Sequence, residues 1–560
     1  MENSTEPAFP QSVIDAFRAA PAEPAFEYRS GIVTRGEIMD LTGRFAAGLA
    51  AAGLGPGSTV ALATEVTPEA FAAQLAAYVL GCRVIGLRPG LTPGHLRLVL
   101  DGGHATANDG AADDDAAAGG TSASRAAGPT GATGGTSGPV ADVGADGVAG
   151  GGPRGVDAVL TDHAHDRPGL VAAAAGRPLL ELGPDLLDRH REPAVLTPRG
   201  ARDAVAVIHL TSGSTGRPKG CEVTYGALSA HWSWAPSRWT ARTRELAAGY
   251  GRYLLFGTLT SAVVFEHLGL CLLGGGTAVI PDPAPRFPDV FQEYRVTACL
   301  MTVARLHQML DTLRTRPVDT SSLRVLLVAG SPLPPHRLAE AAALVGPAVH
   351  QGYGQTETGM LTLLTPDELR GGDAPFDSVG RVLDTVEATV RDERGDTVPT
   401  GATGEVWVRT PGAFRGYWND PAETREVLRD GWIRTRDLGS IDAAGLVRLT
   451  GRARDVVIVN AIVHYAGGME RVLATHPDVD QAYIVGVPDE RTGEAVHAFV
   501  VPRSGRAPDP RELTALLVRD LGESSAPASV TFIDAPPLTS SGKPDKQALR
   551  DRVPARAPAR

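Results

Sequence analysis

Residues 210–220 read LTSGSTGRPKG and follow directly on the apolar run AVAVIHL at 204–210. A short apolar run that empties into a glycine-rich turn reads as a buried strand opening an α/β unit. Gly213 and Gly216 permit a tight backbone path, Thr211, Ser212, Ser214 and Thr215 offer hydroxyls to phosphate oxygens, and Lys219 brings a mobile positive charge. The spacing is not that of the P-loop nucleotide triphosphatases, in which four residues separate the glycines and Gly-Lys is followed by Ser or Thr. Here two residues lie between Gly213 and Gly216, and Lys219 sits between Pro218 and Gly220. A kinase-like or GTPase-like assignment is therefore weak.

The alternation of helix and strand patterns extends outward from this loop. Upstream, TRGEIMDLTGRFAAGLAAAG and TPEAFAAQLAAYVLG read as helices, and STVALAT and CRVIGL as strands. Downstream, GTAVIPD, VTACLMT and LRVLLVAG read as strands, with a helix beginning near Ser331. This is the rhythm of an α/β domain. Residues 103–155 break it: Ala, Gly, Asp, Ser and Thr dominate, too few apolar groups are present to offset ordering entropy, and a disordered surface insertion is expected. Turns and short strands, GEVWVRT among them, fill the interval from Glu387 to Gly445. The organisation restarts near Arg452 with DVVIVN, VDQAYIVGVP and HAFVVP. The expected layout is an N-terminal domain over 1–451 and a C-terminal domain over 452–560.

With 560 residues the chain can bury more than one core, and 43% hydrophobic residues is ordinary for a globular protein. A net charge of -11 gives no basic surface for nucleic acid. The N-terminus MENSTEPAFPQSVIDAF lacks a basic segment before a long apolar run, which makes the cytoplasm the expected compartment, and no apolar stretch is long enough to span a membrane. The four cysteines, Cys82, Cys221, Cys271 and Cys299, are widely spaced, which argues against a disulfide scaffold or a cysteine metal site.

Further motifs follow in a fixed order: Tyr353-Gly-Gln-Thr-Glu357, RTRDLG around Asp437, TGRARD at 450–455, and LTSSGKPDKQALR with Lys543 after Gly542. Together with LTSGSTGRPKG they resemble the acyl-adenylate-forming superfamily of acyl-CoA synthetases, firefly luciferases and peptide-synthetase adenylation domains, over nearly the whole chain apart from the insertion. The resemblance implies an α/β fold: a large, multi-subdomain N-terminal adenylating domain and a smaller, mobile α+β C-terminal domain. It implies ATP and magnesium as cofactors. Tyr353 is similar to the aromatic residue set against adenine, Thr356 to an α-phosphate ligand, and Glu357 to a contributor at the magnesium-phosphate site. Asp437 resembles the acceptor of the ribose hydroxyls and Arg452 the arginine near the nucleotide. Ala329, Gly330 and Ser331 resemble the small-residue turn along the nucleotide, where bulky side chains would block approach. Lys543 resembles the mobile lysine that reaches the carboxylate and α-phosphate, with Arg454 at the hinge.

By the same resemblance His231 through Trp234, Phe256, Gly257, Ser331, Gly352 and Met360 line the acid pocket. Trp232, Trp234 and Phe256 favour an aromatic or otherwise apolar carboxylic acid. Where many coenzyme-A-using relatives carry a glycine after the hinge, this chain has Ala461 in Val459-Asn460-Ala461-Ile462-Val463. Alanine lacks glycine's conformational freedom and narrows the passage for a pantetheine arm. The sequence reading therefore favours an amine acceptor and an amide product, with CoA and a thioester as the alternative. A catalytically reduced nucleotide-binding scaffold is a third reading.

Overall fold

The computed structural model describes residues 8–88, 91–102, 155–162, 168–212, 218–370, 373–503, 506–539 and 542–553. The expected insertion at 103–155 lies outside the described residues except for Gly155.

Two mostly parallel sheets carry the N-terminal part. A nine-stranded sheet runs in the order Arg381–Val382, Gly359–Leu364, Val349–Gln355, Val325–Ala329, Ala298–Thr302, Arg252–Leu254, Thr277–Ile280, Pro24–Tyr28, Gly31–Thr34. A seven-stranded sheet has Val205–Ser212 between Pro218–Thr224 and Arg83–Gly86. Helices Arg35–Ala51, Pro68–Val79 and Ala262–Leu273 contribute to one apolar core that joins residues of both sheets, among them Phe26, Leu327, Val60 and Val207. Burial of this continuous apolar surface is the main force holding the two sheets together.

Local chemistry explains the helix starts. Thr34 and Glu37 form a reciprocal capping box, with Glu37 N donating to Thr34 Oγ1 (3.2 Å) and Thr34 N to Glu37 Oε2 (2.7 Å). The helix expected near Ser331 over PHRLAEAAALVG runs from Pro335 to Val345. Pro332 and Pro334 bias the residues before them toward extended backbone, and Pro335 suits the first helical position.

Strands Ala298–Thr302, Val325–Ala329 and Val349–Gln355 are parallel neighbours, so their carboxyl ends open on the same edge. That edge is where ligands bind in open α/β sheets. Beyond them, Glu387–Arg391, Gly404–Arg409, Leu428–Arg429, Trp432–Ile441 and Val447–Arg452 make an antiparallel sheet. A last sheet begins with the hairpin Val456–Val459 and Ile462–Tyr465 and adds Gly493–Pro502, Val479–Asp489 and Ser529–Phe532.

This last unit docks on the large one through a buried ion pair. Arg337, on helix Pro335–Val345, donates to Asp480 from Nε (2.7 Å) and Nη2 (2.6 Å), and Asp480 also contacts His336 Nε2 at 2.9 Å. Burial pushes the Asp480 carboxyl up, but His336 and Arg337 outweigh it and hold the pKa well below the usual range.

Candidate functional site

The carboxyl ends of the parallel strands supply the floor of the site. Val325–Ala329 ends in Gly330, whose φ of +96° only glycine adopts without strain. A side-chain carbon built on Gly330 would lie 3.8 Å from Lys543 Cε, so the lysine comes to rest against this turn. Lys543 follows Gly542, which has φ +74° and borders Thr302 at the end of the adjacent strand. Thr539 N donates to Lys543 O (2.8 Å), tightening the loop. Lys546, three residues on, binds Asp455 and Glu470, tying this loop to the segment after Arg454.

The Lys543 side chain keeps solvent access, yet its pKa lies below that of a free lysine. Loss of water around the ammonium is the largest cause, followed by Arg452 and Arg88, while Glu357 and Asp437 pull the other way. Those four groups define the electrostatic site: two cations beside the lysine and two carboxylates facing it.

Tyr353, Gln355, Asp437 and Arg452 form one network. Asp437 is buried, accepts from Tyr353 Oη (2.7 Å) and Gln355 Nε2 (2.7 Å), and pairs with Arg452 Nε at 3.2 Å. Burial, and next the Asp437 carboxylate, pushes the Tyr353 phenol well above its ordinary pKa. Glu357 Oε1 accepts from Tyr417 Oη (2.7 Å), and the Glu357 carbonyl accepts from Phe414 N (2.9 Å), so the motif's last residue is held rigidly. The Thr356 hydroxyl takes no partner among the described residues. No group of three His, Cys, Asp or Glu side chains able to hold a metal occurs among the described residues. Glu357 fits a magnesium ion of the kind bound by one or two carboxylates together with phosphate oxygens and water.

Of the phosphate-loop residues, Gly213, Ser214, Thr215 and Gly216 lie outside the described residues, as does the side chain of Ser212. Thr211 and Lys219 face one another across the hairpin that brackets the loop, and Thr211 Oγ1 donates to Lys219 O at 3.3 Å. Arg88 reaches Leu210 O at the end of the preceding strand. Lys219 Nζ pairs with Glu423 (2.9 Å), which also accepts from Arg436 (2.6 Å) and Arg454 (3.3 Å). Burial raises the Glu423 carboxyl, but Arg436 and Lys219 outweigh it and bring its pKa down to about 2. The expected hinge residue Arg454 is thus tethered to the base of the phosphate loop.

The acid-pocket residues divide. Met360 Sδ lies 3.4 Å from where a Gly352 side-chain carbon would sit, so these two touch. Trp232 and Met360 border a cavity of about 20 Å³ also lined by Arg242, Leu246 and Leu383, room for about one water. His231 lies against Gly359 and Gly412, and Gly257, at φ +95°, faces open space. Ser331 sits at the turn after Gly330. Two expected lining residues lie elsewhere. Trp234 is 2% exposed and packs 4.5 Å from Phe265 and 5.2 Å from Phe9, over Gly269, whose missing side chain makes room for the indole. Phe256 turns toward Phe287 (5.5 Å) with the Arg305 guanidinium over its ring (4.9 Å), in the second core cluster. Both are large aromatics whose apolar area is better satisfied by packing than by facing a site.

Sequence reasoning missed Gln355, Tyr417, Glu423 and Glu266. Gln355 lay inside a motif already quoted and carried a readable signal. The other three are scattered singly, and only the fold brings them in.

Residues 15–418 match the AMP-binding enzyme family, and residues 468–543 match the AMP-binding enzyme C-terminal domain. A medium/long-chain-fatty-acid–CoA ligase of Mycobacterium tuberculosis is 34% identical over 363 residues, 62% of this chain and 62% of that relative, so the match spans less than two thirds of its length. A feruloyl-CoA synthase of Amycolatopsis sp is 35% identical over 396 residues, 70% of this chain and 78% of the relative. Among solved structures, the amide bond synthetase McbA from Marinactinospora thermotolerans superposes with a TM-score of 0.73 at 30% identity, covering 97% of this chain and 100% of that one.

Proposed function

Because the chain belongs to the AMP-binding enzyme family, whose members activate carboxylic acids by forming an acyl-adenylate, we propose that it activates an apolar or aromatic acid with ATP and passes the acyl group to the thiol of coenzyme A. The observation that carries the first step is the convergence of Lys543, Gly330, Glu357, Asp437 and Arg452 at the ends of three parallel strands.

In this reading the acid's carboxylate oxygen attacks the α-phosphorus of ATP and pyrophosphate leaves. Lys543, against Gly330, neutralises charge building on the carboxylate and α-phosphate oxygens, and Thr356 offers its hydroxyl to the same phosphate. Asp437 takes the ribose hydroxyls in place of the Tyr353 phenol, whose ring stays beside the base. Lys219 exchanges Glu423 for phosphate oxygens. Glu357 would hold a magnesium ion, which would screen the phosphate charge. A rotation about Arg454 then withdraws Lys543. The CoA sulfur attacks the carbonyl carbon, AMP leaves, and the thiol proton goes to solvent.

The relatives named for fatty-acyl-CoA and feruloyl-CoA formation support the thiol acceptor. So does the backbone at Ala461, which takes φ +63° itself, beside Asn460 at +52°. The turn thus follows the path a glycine would give, and alanine adds one methyl group. This weakens the expectation that Ala461 closes the passage. A second reading, transfer to an amine, is favoured by that methyl group and by the whole-chain likeness to an amide bond synthetase. Mass spectrometry of products from an acid panel with ATP and magnesium, split between CoA and a mixed-amine pool, tests both. Acyl-CoA in the first arm supports the thiol acceptor, and amide in the second with no acyl-CoA overturns it.

A further inference from the structure

Helix Ala262–Leu273 is apolar on every side except at Glu266 and His267, and both are buried. Burying a carboxyl is costly unless its oxygens are satisfied. At Glu266 the satisfaction is lopsided. Oε1 accepts from Trp232 Nε1 and from Met360 N (3.2 Å), and His231 Nε2 stands 3.5 Å away. Oε2 accepts nothing from any described residue, although the side chain is only 5% exposed.

No arginine or lysine among the described residues pairs with this carboxyl. His231, the ionisable group within 4 Å of it, is kept neutral by burial, with a pKa pushed down to about 4, and its Nδ1 is engaged with Ser233 Oγ at 2.9 Å. Burial likewise lifts Glu266 to about 7. A purely structural acceptor for the Trp232 N–H and the Met360 N–H needs one oxygen. The second is left over, in a group held by the Trp232 indole and the Met360 amide, two residues that border the small cavity beside Arg242 and Leu383. The Met360 amide also ties Glu266 to the strand that follows Thr356 and Glu357.

We propose that Glu266 is a specificity-determining residue whose Oε2 binds a hydrogen-bond donor, a hydroxyl or ring N–H, carried by the acid at its end remote from the carboxylate. This rests on the reading of the protein as an acid-activating enzyme and adds the class of acid: apolar in body, with one donor at the far end. A site built to pair a donor rejects the analogue that lacks it far more strongly than an apolar pocket rejects an extra methylene, because the buried acceptor is then left unpaired.

Acid-dependent pyrophosphate exchange on matched acid pairs, identical but for hydroxyl against hydrogen or ring N–H against CH, tests this in the wild type and in Glu266→Gln. Glutamine keeps an oxygen for Trp232 and Met360 and replaces the free acceptor with a donor. The wild type should prefer the donor-bearing acid by at least about tenfold in kcat/KM, mainly through KM, and the variant should bring that ratio to within about twofold. A wild type without preference, or a variant that loses both acids alike, overturns the proposal. A measurement needing no variant is the binding of non-hydrolysable acyl-adenylate analogues bearing hydroxyl or methoxy at the same position. Weaker binding of the methoxy form supports the proposal and equal binding overturns it. If no acid supports exchange, the enzymatic reading itself fails, an outcome distinct from activity without donor preference.

Discussion

Asp480→Asn tests how the two halves of the molecule communicate. In the wild type Asp480 and Arg337 meet in a bidentate pair, with side chains 4% and 5% exposed, and His336 completes the acid's contacts. Removing one partner of a buried pair costs about 3–5 kcal/mol. Arg337 keeps Asp311 at 3.1 Å and Glu340 at 3.2 Å, so a smaller loss of about 2–3 kcal/mol is expected. When the C-terminal unit swings away, Arg337 and residue 480 both return to water, so the cost falls on the docked arrangement that brings Lys543 to Gly330. Docking should weaken about 30- to 150-fold. Pyrophosphate exchange, which needs Lys543 in place, should fall by that factor, while turnover of a supplied acyl-adenylate should change little. An equal loss in both half-reactions, or none in either, would refute the coupling.

Three further changes follow from the site. Ala461→Gly removes a left-handed φ from a side-chain-bearing residue and with it a strain of about 1 kcal/mol; if CoA is the acceptor, kcat/KM for CoA should rise a few-fold with pyrophosphate exchange untouched, and a fall would count against the thiol passage. Glu423→Gln leaves Lys219, Arg436 and Arg454 without their shared anion and should cost about 1–2 kcal/mol in urea unfolding at pH 7, after allowing for solvent screening. Because the Glu423 pKa is depressed from 4.5 to about 2, that gap should fade as pH falls through this window, and a gap unchanged at pH 2 contradicts the account. Glu266 is the opposite case: its folded pKa is raised from 4.5 to about 7, so between those pH values the native state holds a proton the unfolded state has lost, and above about pH 7 both are ionised. Wild-type stability should therefore drop by about 3 kcal/mol between pH 4.5 and 7 relative to Glu266→Gln. Parallel pH-stability curves for the two proteins would sink that assignment.

Much of this fold is legible in the sequence alone. Amphipathic segments with capping residues, such as Thr34 to Ala51, and short apolar runs such as LRVLLVAG fall where the pattern puts them, because local chemistry and tertiary burial agree there. The helix Ala262–Leu273 went unread because it is apolar almost all round, buried from Phe265 to Leu272, and shows no amphipathic period, and Glu266 was hidden with it. Trp234 and Phe256 are placed at the pocket by family position, and packing against Phe265 and Phe287 claims them. Glu423 sits in an ordinary capped turn after Asp420, and its three cations arrive from sequence positions 219, 436 and 454. Such a junction depends on topology and leaves no mark in any local stretch of sequence.

The central claim is that ATP is split to AMP and pyrophosphate by an acid held beside Lys543. Its most direct test is acid-dependent exchange of labelled pyrophosphate into ATP, run with the wild type and with Lys543→Ala. The account predicts exchange that requires a carboxylic acid and falls at least about a hundredfold in the variant, a loss typical of removing one positioned transition-state group. Exchange without acid, release of ADP and phosphate instead, or an unimpaired Lys543→Ala would contradict it.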